Sequence, residues 1–364
     1  MTVQKITRRR FIGSVSAAAA GYAALGLHPV AKAEITGRSR KEIVSIVRIK
    51  DGNIPRAVEE AIDLLGGIKK VTHGKDRIIL KPNLVIESPD CTTKLPVIKT
   101  LARLMKDAGK EVIIGEGSAA AYNFNVRDNE IFRTKNKEIL DDMQQYVFDT
   151  LGYSDMAKSL HVPLINLHTG DMAEVALKNG FIDQSVRIHK SLTEVDLVCS
   201  VPIMKTHTLA TVTLAMKNLI GLYPGSEYYT VRSWLHDRAA ESGSPGVAYE
   251  VLDINRAVNT GLSVIDASTA MEGDGPTSGT LVDMGLIIAG TSPLATDMVG
   301  SSLMGFELNE IPALLLAHQS GMLPMVMDDI EIRGQHIDAC KRNFARPTIY
   351  QWTDISSVFG AREI

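Results

Sequence analysis

The stretch VDLVCSVPIMKTHTLATVTLAMKNLIGLYPG, Val195 to Gly225, decides the fold. Its first part, Val195 to Val201, is short, apolar and rich in β-branched residues, which predicts a buried strand closed by Pro202. From about Leu209 to Leu222 the apolar residues recur at helical spacing, and Gly221, Pro224 and Gly225 mark a stop. Strand, turn and helix in that order bring side chains to the carboxyl edge of a sheet, where ligands sit in open α/β folds. The turn carries Lys205, Thr206, His207 and Thr208, and the predicted helix carries Thr211, Thr213, Lys217 and Asn218. A cation, an imidazole and hydroxyls beside free backbone N–H groups suit an anion. Lys217 is the only charged residue between His207 and Tyr223. Such a lysine either lies at the helix edge with its ammonium in water, or occupies a cleft. The company of Lys205, His207 and Asn218 favours the cleft.

The pattern K-T-H-x5-T-x3-K-N-L-x-G, Lys205 to Gly221, resembles the signature of the family known as domain of unknown function 362. L-K-P-N-L at Leu80 to Leu84 and E-G-D-G-P-T-S-G-T at Glu272 to Thr280 agree with it, and the resemblance spans about Ile43 to Gly305. The family brings no agreed activity. A fainter likeness points to the amino-terminal domain of the nickel-pincer lactate racemases, which carry a histidine and a lysine spaced as His207 and Lys217 are here. That likeness implies removal of hydrogen next to a carboxylate. The racemases have Gly-Gly before the lysine, whereas this chain has Ala215 and Met216, a departure from covalent attachment of a pincer cofactor.

The 364 residues allow one large or two moderate domains. The expected class is α/β: a mostly parallel sheet flanked by helices, in one body or two lobes, preceded by an export signal. The expected boundaries are a signal over 1–33, the α/β domain over 42–310 and a helix/strand extension over 311–364. A formal charge of −3 without a basic stripe gives no nucleic-acid footprint. Cys91, Cys199 and Cys340 lie far apart with no C-x-x-C, so no iron–sulfur cluster motif is present.

Near the start, Thr7-Arg8-Arg9-Arg10-Phe11-Ile12 resembles a twin-arginine motif. An Ala-rich stretch from Val15 to Leu27 and the small-x-small site Ala31-Lys32-Ala33 follow. The expectation is export by the twin-arginine machinery to the periplasm; an uncleaved anchor is the alternative. Arg77 to Pro82 reads as a strand with Lys81 and Asn83 at its end. Thr93 reads as a helix cap, and Lys94 at the same helix start makes electrostatic sense beside a bound anion. Glu116 follows a strand between Gly115 and Gly117, as a general base, a metal ligand or a turn carboxylate. Ala119 to Leu151 reads as an excursion or lid, and Tyr228 to Gly246 as a charged loop able to fold over the cleft. His161, His168 and His189 have no acidic or cysteine neighbours in sequence and read as surface residues. Asp266, Glu272 and Asp274 stand on a Gly-rich stretch after a strand at Leu262 to Ile265. Oxygen clusters of that kind hold a hard divalent cation, although the glycines alone also permit tight turns.

Two functions follow. The first is an enzyme acting on a small carboxylate-like anion by Lys/His-assisted proton or hydride chemistry. Lys217, His207 and Glu116 would react, and Lys81, Asn83, Lys94, Lys205, Thr213 and Asn218 would bind. The second is a non-catalytic metal- or cofactor-binding protein of an exported redox or assembly system, with Asp266, Glu272 and Asp274 as ligands. The chain has no G-x-S-x-G, P-loop, H-E-x-x-H or strand-borne G-x-G-x-x-G that would name a mechanism.

Overall fold

A computed structural model of the chain describes residues 41–349, apart from Asn129 and Met325, together with Glu363. The expected export signal lies outside the described residues. From Lys41 onward the chain is one compact unit, not two lobes.

Ten strands form its sheet: β1 (Glu42–Arg48), β2 (Arg77–Pro82), β3 (Glu111–Glu116), β4 (Leu164–Asn166), β5 (Leu197–Val201), β6 (Ile203–His207), β7 (Thr211–Thr213), β8 (Thr260–Glu272), β9 (Thr280–Gly290) and β10 (Ile330–Gly334). The spatial order is β10-β1-β9-β8-β5-β2-β3-β4, with β6 paired to β8 and β7 to β6. Strands β8, β5, β2, β3 and β4 run parallel, while β9 is antiparallel to both its neighbours. The fold is α/β with a mixed, mostly parallel sheet. The expected C-terminal extension is not a separate piece, because β10 completes the sheet beside β1.

Helices cover both faces. One face takes α1 (Ile54–Leu64), α2 (Leu95–Asp107), α3 (Lys137–Thr150) and α4 (Tyr153–Leu160). The other takes α5 (Ala215–Asn218), α6 (Ser233–Glu241), α7 (Ala248–Ala257), α8 (Pro293–Leu303) and α9 (Pro312–Gln319). In α1, Asn53 Oδ1 accepts the Arg56 N–H, a proline stands in the first turn, and Ala57, Val58, Ala61 and Ile62 form the buried stripe. Strand side chains alternate between faces. Ile78 and Leu80 of β2 join the core under α1 and α2, whereas Ile79 joins the opposite core. Lys81 shares the parity of Ile79, which sends its side chain towards the α5 side. In β5, Ser200 shares the parity of Val198 and pairs with Lys81 in register.

The stretch after Pro202 departs from expectation. The chain does not turn into a helix; it continues as β6, returns antiparallel as β7, and becomes helical only at α5, followed by a 3₁₀ turn at Leu219–Leu222. Thr206, Val212 and Thr213, β-branched like their neighbours in the strands, favour extended backbone. Leu197 to Met216 is buried at every position, so its apolar spacing reports burial on all sides and no helical face. Strands β8 and β9 are also longer than expected and form one hairpin, whose tip holds Gly273 to Gly279. The predicted lid is partly core: Leu140, Met143, Val147 and Phe148 of α3 are buried against α4 and the sheet. The predicted loop over 228–246 contains α6.

Candidate active site

Parallel strands deliver their carboxyl ends to one edge. There β2 ends on Lys81 and Pro82, β3 on Glu116 and β6 on His207. Lys81 is 1% exposed, and its Nζ donates to Glu116 Oε2 at 2.8 Å, Asn218 Oδ1 at 3.0 Å and the Pro82 carbonyl at 2.9 Å. All three ammonium protons are thereby used. Burial draws the Lys81 pKa down to about 8, against the pull of Glu116. Glu116 also accepts the backbone N–H groups of Leu84 and Gly117. Its carboxylate holds the two strand ends together. Asn218 Nδ2 donates back to the Lys81 carbonyl and to Ser200 Oγ, both at 3.1 Å. The conformation leaves no room at Gly221: a Cβ there would stand 2.5 Å from both Glu116 Oε1 and Lys81 Nζ.

Above this latch lies a cavity of about 100 Å³, room for a handful of water molecules at roughly 10–15 Å³ each and therefore for a molecule of a few carbons. Lys81, Glu116, Lys205, Lys217 and Arg232 supply its ionisable groups, His207 a neutral imidazole, and Val85, Leu209, Ile220, Val231 and Val247 its apolar wall. Lys205 Nζ donates to the Cys91 carbonyl at 2.7 Å, and burial lowers its pKa to about 8. Lys217 keeps partial exposure and lines the cavity, yet its ammonium has no hydrogen bond or ion pair to any described residue. Burial lowers its pKa to about 7; Glu250 opposes the shift, and Arg232, Lys205 and Lys81 reinforce it.

His207 Nδ1 accepts the Leu209 N–H at 3.0 Å, so its proton sits on Nε2. Burial, then the Lys217 and Lys205 charges, hold the ring neutral, well below its ordinary pKa. Across the cavity, the buried Glu250 carboxylate holds His236 Nδ1 at 2.7 Å and 2.8 Å with its two oxygens. Thr213 Oγ1 and Asn83 Oδ1, on the cavity wall, are buried without a partner among the described residues.

Arg232 closes the site. Its Nε donates to the Ile220 carbonyl at 3.2 Å and Nη2 to the Gly117 and Gly221 carbonyls at 2.5 Å and 3.0 Å, while Nη1 donates to no described residue. The backbone that presents it is strained. Tyr229, Val231 and Arg232 have φ of 62°, 50° and 60°. For a β-branched residue such as Val231 this is a genuine outlier, and such strain, about 1–3 kcal/mol per residue, clusters at functional sites.

The structure thus brings Lys81, Asn83, Glu116, Lys205, His207, Thr213, Lys217 and Asn218 around one cavity. It leaves out Lys94, whose Nζ donates to the Pro89 carbonyl at 2.5 Å and whose N–H donates to Asp266 Oδ2 at 2.8 Å. The three acids of the expected metal site are apart. Asp266 is fully buried and serves Lys94 and Ser268, Glu272 accepts the Ala345 N–H, and Asp274 accepts the Thr348 N–H. Among the described residues no three His, Cys, Asp or Glu side chains are grouped to hold a metal. Thr93 is not the cap of α2. Its hydroxyl accepts the Asn83 N–H and donates to the Val201 carbonyl, tying β2 to β5. His168 is not on the surface. It is fully buried, with Nδ1 accepting the Gly225 N–H and Nε2 donating to the Ser118 carbonyl. Sequence reasoning misses Arg232, His236 and Glu250. The charged run around Trp234 signals a segment near the cleft, but nothing in it marks the pairing of His236 with Glu250.

The model of the Domain of unknown function (DUF362) family matches residues 78–302. The chain belongs to this family. A thylakoid-associated protein of Synechocystis sp. is 24% identical to this DUF362 protein over 287 residues, 77% of this chain and 80% of that protein. The lactate racemase apoprotein of Thermoanaerobacterium thermosaccharolyticum is similar at 14% identity and a TM-score of 0.42, over 73% of this chain and 58% of the racemase. The DUF362 chain therefore spans less than two thirds of the racemase.

Proposed function

We propose that this DUF362 protein is an enzyme acting on a small carboxylate-bearing anion, by proton chemistry assisted by Lys217 and His207. The observation that carries this reading is the unpartnered Lys217 in a cavity with a surplus of positive charge. Lys81 and Glu116 cancel each other. Lys205 and Arg232 hydrogen-bond only to backbone carbonyls among the described residues, and a carboxylate at the cavity wall would accept from Lys205 Nζ and Arg232 Nη1. Lys217, its pKa drawn down to about 7, offers a substantial fraction of free amine near neutral pH and can act as a base or nucleophile. Neutral His207 donates from Nε2, as suits a developing oxyanion. Thr213 Oγ1 and Asn83 Oδ1 supply further hydrogen-bond positions.

The test is thermal unfolding and calorimetry of the full chain with acetate, lactate, pyruvate, malonate and phosphate. A small carboxylate should raise the midpoint and Lys217→Met should weaken its binding at least tenfold. If none of these anions binds, or the variant binds them as the parent does, the reading fails.

We also propose that the protein is exported by the twin-arginine route, on the support of Arg8, Arg9 and Phe11. Replacing Arg8 and Arg9 with lysine should retain the protein in the cytoplasm; an unchanged periplasmic fraction would refute this.

A further inference from the structure

We propose that Lys217 forms a Schiff base with the carbonyl carbon of a small 2-oxo acid. This rests on the carboxylate reading above and names the substrate class. Four features of the cavity converge on it. The amine of Lys217 makes no hydrogen bond or ion pair to any described residue, so nothing in the protein must be displaced before it attacks. Lys205 and Arg232 line the same small space, and each keeps donors that no described residue takes up: Lys205 Nζ has a single acceptor, and Arg232 Nη1 has none. They suit a carboxylate, and in a cavity of a few carbons that carboxylate is never far from the reacting carbon. Neighbouring cations and burial keep a lysine in its nucleophilic, neutral form, the arrangement that activates Schiff-base lysines in general. Finally, His207 is locked with its proton on Nε2, a neutral donor for the carbonyl oxygen.

The step balances without a redox partner. The Lys217 nitrogen lone pair forms the C–N bond and the nitrogen sheds one proton, while the carbonyl π pair moves to oxygen, which takes up one. The carbinolamine oxygen then takes up a second proton and leaves as water while the nitrogen lone pair forms C=N, giving the protonated imine. One water leaves per imine and no electrons are exchanged. The protonated imine then draws electron density from the adjoining C3–H bond and acidifies it. Release of that proton gives an enamine, and its return from solvent exchanges the hydrogen.

The experiment incubates the full chain with pyruvate, reduces with borohydride and locates the adduct by intact mass and peptide mapping. Proton NMR in heavy water follows exchange at the pyruvate methyl group. The expected result is one reduced pyruvyl unit on Lys217, none on Lys81 or Lys205, and methyl exchange above background. Lys217→Arg removes the nucleophilic amine and should lose both adduct and exchange. Phenylpyruvate, too large for the cavity, should not be trapped. An unlabelled Lys217, or equal labelling of Lys217→Arg, overturns the inference. If lactate still stabilises the protein in that case, only the Schiff base fails; if no carboxylate binds, the carboxylate reading fails with it.

Discussion

Lys81 Nζ stands 2.8 Å from Glu116 Oε2, with both side chains almost entirely removed from solvent. A buried pair of this kind stabilises little against an apolar replacement, but breaking it strands a charge. Lys81→Met should therefore cost about 3–5 kcal/mol of stability. The double variant Lys81→Met/Glu116→Gln should recover much of that loss. Urea unfolding of both variants measures the difference, and a single variant as stable as the parent would show that the pair is not a latch.

Gly221 faces that pair with no space to spare. Gly221→Ala forces the ion pair apart and should lower stability by about 1–3 kcal/mol, the range for overpacked sites. Chemical denaturation at constant pH reads this, and an unchanged midpoint would mean the pair can shift at no cost.

Lys217 gives stability a pH slope. Its pKa is about 7 in the folded chain against an ordinary 10.5. Between those values the unfolded chain holds a proton that the folded chain has released, so stability rises with pH. The cost of burying the charge is full below pH 7 and gone above about 10.5. Lys217→Met should flatten the slope just above pH 7, before Lys81 and Lys205 begin to contribute near about 8. Denaturation over about pH 6 to 9 compares the two proteins, and parallel curves would contradict the assignment.

Asp297 on α8 has the opposite sign. Its two oxygens accept the Ala215 and Met216 N–H groups at 2.6 Å and 2.8 Å, fixing the start of the helix that carries Lys217. Burial raises its pKa to about 7 despite those bonds. The folded carboxyl keeps its proton longer than the unfolded one, so stability falls as pH climbs from 3.8 to about 7. Asp297→Asn should remove this fall. Asp297→Leu leaves two buried amides unpaired, at about 1–3 kcal/mol each. Unfolding titrations of both variants from about pH 4 to 7 provide the check.

The sheet's parallel centre is legible in sequence because β2, β3 and β5 are short apolar runs bounded by proline, glycine or charge. Lys81 and Glu116 are legible with them, since a residue at the carboxyl end of a parallel strand has few places to go. The β6–β7 hairpin is not legible, because a segment buried all round carries no periodicity to read. Arg232 and Glu250 are hidden for another reason. Their roles exist only through partners: Arg232 joins carbonyls 11 and 115 residues away, and Glu250 meets a histidine 14 residues away. The acids of the expected metal site mislead because their oxygens already have partners: Asp266 serves Lys94 and Ser268, and Glu272 and Asp274 serve the segment around Ala345 and Thr348.

The positive surplus left by Lys205 and Arg232 bears on the life of the protein in a cell. A small carboxylate of the proposed kind that bound only the native chain would shift the folding equilibrium in proportion to its own level. Where that carboxylate ran short, more molecules would open and be exposed to proteases. The abundance of this protein would then track its supply.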